Sequence, residues 1–579
     1  MGHRGGAPHQ DERLPTVVRI LLPSPYTAAR LTTARLEPSA MNPRRQPVLA
    51  RLLLAACLAC GSASFAAAVP AGTQLAAKQE MVRNNGAEPD SLDPALIESV
   101  PANSIASDLF EGLTAVDHHG DAVAGVAESW KQADATTWVF KLRKTAVWSN
   151  GQPVTADDFV YAWRRLLDPK TASKIASTLG VYLLNGSEIV VGRKPAAELG
   201  VRAIDRQTLE VKTPVPMPFL PAVVSSVQFS PQPRATIDKF GKDWTKPANI
   251  VGNGAYVLKD WQVNSKVVLE KSSRYWDAAN VQLTRVTYLC VEDGNADLKL
   301  YQSGEEDFML QLAPGAYTAL KSQYPREIHN GRLLGLRFYS LNNQDPLLKD
   351  VRVRKALSMV IDRDILASKV TADGQPALYG LGVQGVSGMD PTRYDWADWP
   401  MDKRVAEARK LLAEAGVKPG THLKFTYNNS DYHKKMAIFA ASEWKTKLGL
   451  DTDMDSLEFK VLIRKRHDGD FQVARSGWVV IFNDATLLLT LVQCGSEAND
   501  DRSCNRQAED LINKGKLATD PAQRKALLTQ AAKVAMDDYP MIPLLQYSVP
   551  RLIKPWVGGY DEANGMDRYR SKDFYILKH

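Results

Sequence analysis

The chain has 579 residues, 44% hydrophobic and 24% charged, with a formal charge of +7, enough apolar material for several domains or one large multi-lobed unit. The basic excess is local: Met1 to Ala68 holds eight arginines against three acids, leaving the remainder near +2, a balance that argues against a nucleic-acid surface. No apolar stretch reaches the roughly 18 residues that a membrane helix needs.

Met41 to Ala68 has the tripartite form of a secretory signal. Arg44, Arg45 and Arg51 make the basic region, Leu52 to Cys60 the apolar core, and Ser64-Phe65-Ala66 or Ala66-Ala67-Ala68 the small-residue cleavage site. This predicts an exported chain whose mature part starts near Ala67 or Val69. An alternative parse, with Leu54-Ala55-Ala56-Cys57 as an acylation site, tethers the protein at Cys57. Residues 1–40 lack apolar periodicity and read as a non-native extension ahead of a start at Met41. Export permits disulfides. Cys494 and Cys504 flank the polar loop GSEANDDRS and are the natural pair, a bridge contributing about 2–3 kcal/mol, while Cys290 reads as a buried free thiol.

Gln79 to Gly86 reads as a strand running into a turn, and Ser104 to Leu113 as a helix stopped by Gly112. Trp138, Phe140 and Leu142 alternate with Lys141 and Arg143, as a half-buried strand requires. Val147-Trp148 starts another strand before the turn Ser149-Asn150-Gly151, and Thr155-Ala156-Asp157-Asp158 resembles a capping box opening the helix of Phe159, Val160, Ala162 and Trp163.

This block, AESW followed by WVFKLRKTAVWSNGQPVTADDFVYAWRR, resembles the signature of the bacterial family 5 extracellular solute-binding proteins. The resemblance runs from about Val69 to His579, and IVGNGAYVLKDW, DVRVRKAL, YNNSDYHKK and RLIKPWVGGY are similar to the oligopeptide-binding members of that family. It implies an α/β fold of the periplasmic binding protein type (class II, cluster C), with two lobes and an additional domain, three domains in all. Domain I would comprise 69–110, 235–334 and 549–579, domain II 111–234 and domain III 335–548. It also implies a periplasmic monomer without cofactor or metal, partnered by a peptide or peptide-like ligand and by ABC transporter permease subunits, and not by nucleic acid.

Taken from the residues alone, the second half alternates helices and strands, an α/β texture. Asp350 caps a helix containing Val351, Ala356, Leu357 and Val360; Asp402 to Ala415 is amphipathic and ends at Gly416; Asp520-Pro521 opens a final helix. Leu333 to Leu341 and His422 to Tyr427 read as strands between helices. Phe471 to Asp484, FQVARSGWVVIFND, is an apolar run interrupted by Arg475. A guanidinium in such a run must find an anion, and in a strand Phe471, Val473 and Arg475 share one face. That anion belongs either to the protein, as an internal salt bridge, or to a ligand.

Compact catalytic motifs are missing: the mature part has no G-x-S-x-G, H-E-x-x-H, Walker glycine loop or C-x-x-C. The pairs Asp157-Asp158 and Glu305-Glu306 read as solvated surface, and His118-His119, without further ligands at usable spacing, as a surface turn ending at Gly120. The chain is therefore expected not to be an enzyme. Cationic Arg466, Arg475 and His433 and acidic Glu98 suit a zwitterionic ligand, arginine offering a rigid fork for a carboxylate.

The resemblance gives these residues roles. Positions matching Arg466, Arg475 and His433 serve C-terminal carboxylates of peptides of different length, those matching Glu98, Val100 and Asn428 lie along the ligand, the strand carrying Gly477 and Trp478 pairs with the peptide backbone, and Tyr547 matches a ligand-side tyrosine. The sequence also departs from the family. Ile481 stands where an aspartate takes the peptide's α-ammonium, and Asp484, which matches a different acidic position, would replace it only from a shifted register. Gly335 and Val479 stand where two cysteines can pair, Phe459 replaces a tryptophan and Ile175 a tyrosine. These departures predict a ligand that keeps an anion for the arginines but lacks a free α-ammonium at Ile481: an N-blocked peptide, a murein-derived peptide or an amphipathic acid.

Overall fold

A computed structural model describes residues 69–313 and 315–579. The extension, the signal sequence and the acylation reading at Cys57 lie outside the described residues. Within these, no helix is long and apolar enough to cross a membrane.

Three sheets of four or five strands organise the described residues. In the first, Glu80–Asn84 runs parallel to Arg285–Leu289, which is followed antiparallel by Lys266–Lys271 and Tyr256–Gln262. The second is antiparallel throughout, in the order Ala127–Asp134, Thr137–Leu142, Thr208–Lys212, Val201–Asp205. The third is mixed, in the order Asp451–Leu457, His422–Asn428, Val473–Val479, Ile328–Leu341, Met541–Leu552. One apolar core gathers Phe110, Phe140, Trp163, Phe229, Tyr256 and Phe574. Another gathers Phe338, Leu357, Trp396, Phe425, Trp444 and Leu544 around the third sheet.

Two long strands link the cores. Ile328–Leu341 and Met541–Leu552 pair antiparallel from Ile328↔Leu552 to Ser340↔Met541, with register shifts between Arg332 and Leu336 and between Arg337 and Phe338. Such irregularities sharpen the local twist of a ribbon. At the far end, Phe308 bridges both Arg83 of the first sheet and Ile553. A third crossing follows Val479: Phe482 leaves the third sheet and packs in the first core, stacked on Phe219 at 5.1 Å and edge-on to Tyr182 at 5.9 Å. Beside it Asn483 Nδ2 donates to the His119 carbonyl (2.8 Å) and Ser387 Oγ to Asp121 (2.6 Å).

Local signals explain most element ends. Thr155 and Asp158 form the expected capping box of helix Ala156–Leu167, Asp350 caps Val351–Met359 and Asp520 caps Pro521–Met536. Four expectations need correction. The first helix is Val100–Leu109, begun by the Ser99 cap with proline in its first turn, and it stops at Phe110 rather than Gly112. Burial of Phe110 against Trp244 (5.9 Å) holds that residue extended. Val147-Trp148 makes only an isolated bridge, Val147↔Pro153, because the chain reverses at once through Gly151 at φ +89°. Asp158 is not solvated surface but the partly buried half of its capping box. Glu306 is buried too, accepting from the Asn84 amide at 3.2 Å. Desolvation, with Asp297 beside it, pushes its carboxyl up to about 10, so it is a neutral acid at pH 7.

Cys494 and Cys504 are bonded, with Cα atoms 4.6 Å apart. Cys290 is a half-buried free thiol, pushed up to about 12 first by burial and then by Glu88, which suits packing and not nucleophilic attack.

Candidate ligand-binding site

The strand Val473–Val479 is the centre of the site because of what its register opposes. Its antiparallel partner sets Tyr339 opposite Arg475, Arg337 opposite Gly477 and Gly335 opposite Val479. Opposed residues share a face, so two arginines from neighbouring strands come together. The helix Asp431–Leu448 packs over this face, the Tyr339 hydroxyl donating to Met436 O at 3.0 Å, and brings His433 in its first turn. Tyr547, from Met541–Leu552 on the far side of that partner strand, lies with its hydroxyl over Gly477, where a Cβ would collide with it.

The arginine in the apolar run meets no acid among the described residues. Among the described residues no carboxylate lies within ion-pair distance of Arg475, its Nε is buried without a partner, and its nearest aromatic face is Phe459, 5.9 Å from the guanidinium carbon. Burial draws its pKa below the ordinary arginine value; Tyr547 opposes that, and the Arg337 and Arg466 charges reinforce it. Arg466 differs. Its Nε lies 3.2 Å from Asp500 Oδ2, and its Nη1 donates to Ser476 Oγ (2.5 Å) and Arg475 O (3.2 Å). Of the two arginines, one has an internal ion pair and the other has none.

His433 is set by its neighbours. Arg337 Nη1 approaches His433 Nε2 at 3.4 Å; a guanidinium only donates, so Nε2 accepts and the ring proton sits on Nδ1. That Nδ1 is buried without a partner. Burial first, then Arg475 and Arg337, hold its pKa down to about 3, so the imidazole is neutral. Trp478 Nε1 is likewise buried and unpartnered. One face of the strand thus presents N–H donors on Arg475 and His433 whose matching acceptor is absent among the described residues, a pair that an acceptor-only carboxylate satisfies, whereas Trp478, opposed to Leu336, belongs to the other face.

One consequence is testable through pH. Burial, the first cause of the low His433 pKa, persists when a ligand fills the site, and Nε2 already faces the Arg337 N–H, so the imidazole stays neutral in the complex. Calorimetry of a free-carboxylate peptide is therefore expected to give enthalpies that do not depend on the buffer between pH 5 and pH 8; net proton uptake at pH 5 that His433→Gln abolishes would show instead that the ligand charges the ring.

The remaining predicted residues are spread out. Asn428 ends the strand His422–Asn428 with its Oδ1 buried and unpartnered. Glu98 and Val100 stand at the first helix: Val100 is 71% exposed, and Glu98 pairs with Lys174 at 3.3 Å. Ile481 is 48% exposed, just past the strand end. Asp484 is no substitute for an acid at 481, since it is buried and paired with Arg524 at 2.9 Å. Gly335 and Val479, directly opposed, occupy positions where two cysteines would face each other. Ile175 packs partly buried against the first core.

Sequence reasoning missed Arg337 and Arg568. Arg337 interrupts the apolar strand LLGLRFYSL as Arg475 interrupts its own, so the same argument applied there would have found it. Arg568 donates to the Ile481 carbonyl at 2.9 Å across the two cores, a contact without local signal.

Residues 121–500 match the profile described as bacterial extracellular solute-binding proteins, family 5 Middle. The chain is 44% identical to the periplasmic oligopeptide-binding protein OppA of Escherichia coli over 93% of this chain and all of that one. Among solved structures it is similar to the murein tripeptide-binding protein MppA in its unliganded open form, at 37% identity and TM-score 0.84, covering 88% of this chain and 99% of that one. It is also similar to OppA of Burkholderia pseudomallei, at 47% identity and TM-score 0.67, covering 87% and 100%. The less identical of the two structures superposes better. The fold is the class II periplasmic binding protein fold, and the chain belongs to the bacterial extracellular solute-binding proteins of family 5.

Proposed function

We propose that this protein is an exported, non-enzymatic carrier that captures peptides or peptide-like anions between two closing lobes and delivers them to an ABC permease. The observation that carries this reading is the pair of buried, unpartnered N–H donors on Arg475 and His433. Backbone pairing along Val473–Val479 suits a carrier that accepts many sequences, because main-chain hydrogen bonds are common to all peptides. Binding by closure is supported by the likeness to an unliganded open form. In this reading Asn428, Trp478 and Tyr547 lie along the ligand with Glu98 and Val100 across the cleft, in the three-domain division given above. The secretory signal and the periplasmic relatives favour export, and the carrier is taken to act as a monomer.

At the amine end, Ile481 with Arg568 beside it favours ligands without a free α-ammonium over ordinary peptides. Native mass spectrometry of protein freshly purified from its host is expected to show one co-purifying peptide-like anion per chain. Calorimetry is expected to show reversible, stoichiometric binding that is tighter for N-acetylated than for free tripeptides. Turnover of the bound peptide, or no binding of either series, would overturn the proposal.

A further inference from the structure

Arg337 has no carboxylate within ion-pair distance among the described residues. Its Nε donates to Gln375 Oε1 at 3.0 Å and its Nη1 reaches His433 at 3.4 Å. The guanidinium lies over two rings, 4.1 Å from the centroid of Tyr547 and 4.8 Å from that of Tyr432. Tyr547 also covers Gly477, directly opposite Arg337, so the group is held within the site. The acid on the neighbouring loop, Asp373, is half-buried, and desolvation raises its pKa although Arg337 and Lys435 oppose the shift. It does not pair with the arginine.

The site therefore carries two half-buried guanidiniums, Arg337 and Arg475, on opposed strands, with a neutral imidazole in contact with the first and in the field of both. Each lowers the pKa of that histidine, so their fields overlap. One bound carboxylate meets one of them and leaves the other guanidinium without a hydrogen-bonded acid, since Asp373 lies in the field of Arg337 but does not pair with it. A second carboxylate on the ligand supplies that partner.

We propose that Arg337 and Arg475 form a paired subsite for two anionic groups at the same end of the ligand, so that the preferred cargo is a peptide with an acidic last residue, presenting an α-carboxylate and a side-chain carboxylate together. This rests on the carrier reading above and names the substrate class within it. Arg337 is the specificity-determining residue; Arg475 holds the carboxylate common to all peptides. The competing role for Arg337 is mechanical, a cation clamped between Tyr432 and Tyr547 to hold the rings.

The test uses isosteric tetrapeptides Ala-Ala-Ala-Glu and Ala-Ala-Ala-Gln, each with its N-terminus free and acetylated, so that the outcome does not depend on the amine end. Titration of the wild-type protein is expected to favour the glutamate peptide by roughly tenfold or more. In Arg337→Gln both peptides weaken, because the His433 tautomer is no longer fixed, but the glutamate peptide loses more and the preference collapses toward one. Equal binding of the two peptides by the wild type overturns the proposal. So does an Arg337→Gln variant, or the milder Arg337→Lys, that weakens both peptides by the same factor, because that is the signature of a clamp. Binding of none of the four by the wild type overturns the carrier reading itself and this proposal with it.

Discussion

Arg475→Gln is expected to weaken binding of a free-carboxylate peptide by about 2–4 kcal/mol, roughly 30- to 1,000-fold in Kd, without destabilising the unliganded protein. Binding is affected strongly because a charge-assisted fork to a carboxylate is lost in a partly desolvated site. The unliganded protein tolerates the change because Arg475 has no ion-pair partner to orphan, and its removal relieves repulsion from Arg337 and Arg466. Arg466→Gln should do the reverse. It strips Asp500 of a guanidinium in a pair whose side chains are 13% and 9% exposed, leaving a mostly buried carboxylate with only His467 beside it, and breaking such a pair is strongly destabilising. Thermal unfolding and calorimetry on the two variants separate the roles. A lowered Tm for Arg475→Gln with unchanged affinity would assign Arg475 to the scaffold.

The amidated form of the same peptide provides the complementary cut. If Arg475 and His433 take the α-carboxylate, amidation costs the wild type nearly as much as Arg475→Gln costs the acid, and the two losses do not add, because they remove one interaction from opposite sides. Additive losses would place the carboxylate elsewhere in the cleft.

The parts of this molecule legible in its sequence were those decided within a few residues. The capping box at Thr155 and Asp158 and the caps at Asp350 and Asp520 are made by side chains bonding their own helix ends. The alternation in Thr137–Leu142 marks a strand with the same economy. What failed was decided at a distance. Gly112 offered a plausible stop, but the helix ends where Phe110 turns into a core containing Trp244. Glu306 looked like half of an exposed acidic pair, yet Asn84 and Asp297 bury it as a neutral acid. Arg475 was recognised as a charge needing an anion, but only the register with Ile328–Leu341 reveals Arg337 beside it, and only the loop at Asp500 shows that Arg466 is already paired. The resemblance to a family supplies the expectation of where a site lies; the charges there are read from the packing of this chain.

Ile481→Asp is expected to raise affinity for free-amine peptides, and the gain should depend on Arg568. A carboxylate at position 481 offers an ammonium a charge-assisted hydrogen bond worth about 1.5–3 kcal/mol, roughly 10- to 100-fold in Kd. Arg568, however, already donates to the Ile481 carbonyl at 2.9 Å, close enough for its guanidinium to capture a new carboxylate on the same residue. The single variant should therefore show only part of the gain, and Ile481→Asp combined with Arg568→Gln the whole of it, while Arg568→Gln alone removes one repulsive cation and helps modestly. N-acetylated peptides should bind less tightly once Ile481→Asp is made, because their neutral amide leaves the introduced carboxylate desolvated and without a cation. The preference for blocked over free termini then inverts between the wild type and the double variant. If the wild type already binds free-amine tripeptides more tightly than their acetylated forms, the ammonium is held by some other acid, and the residue at position 481 is not what selects the ligand.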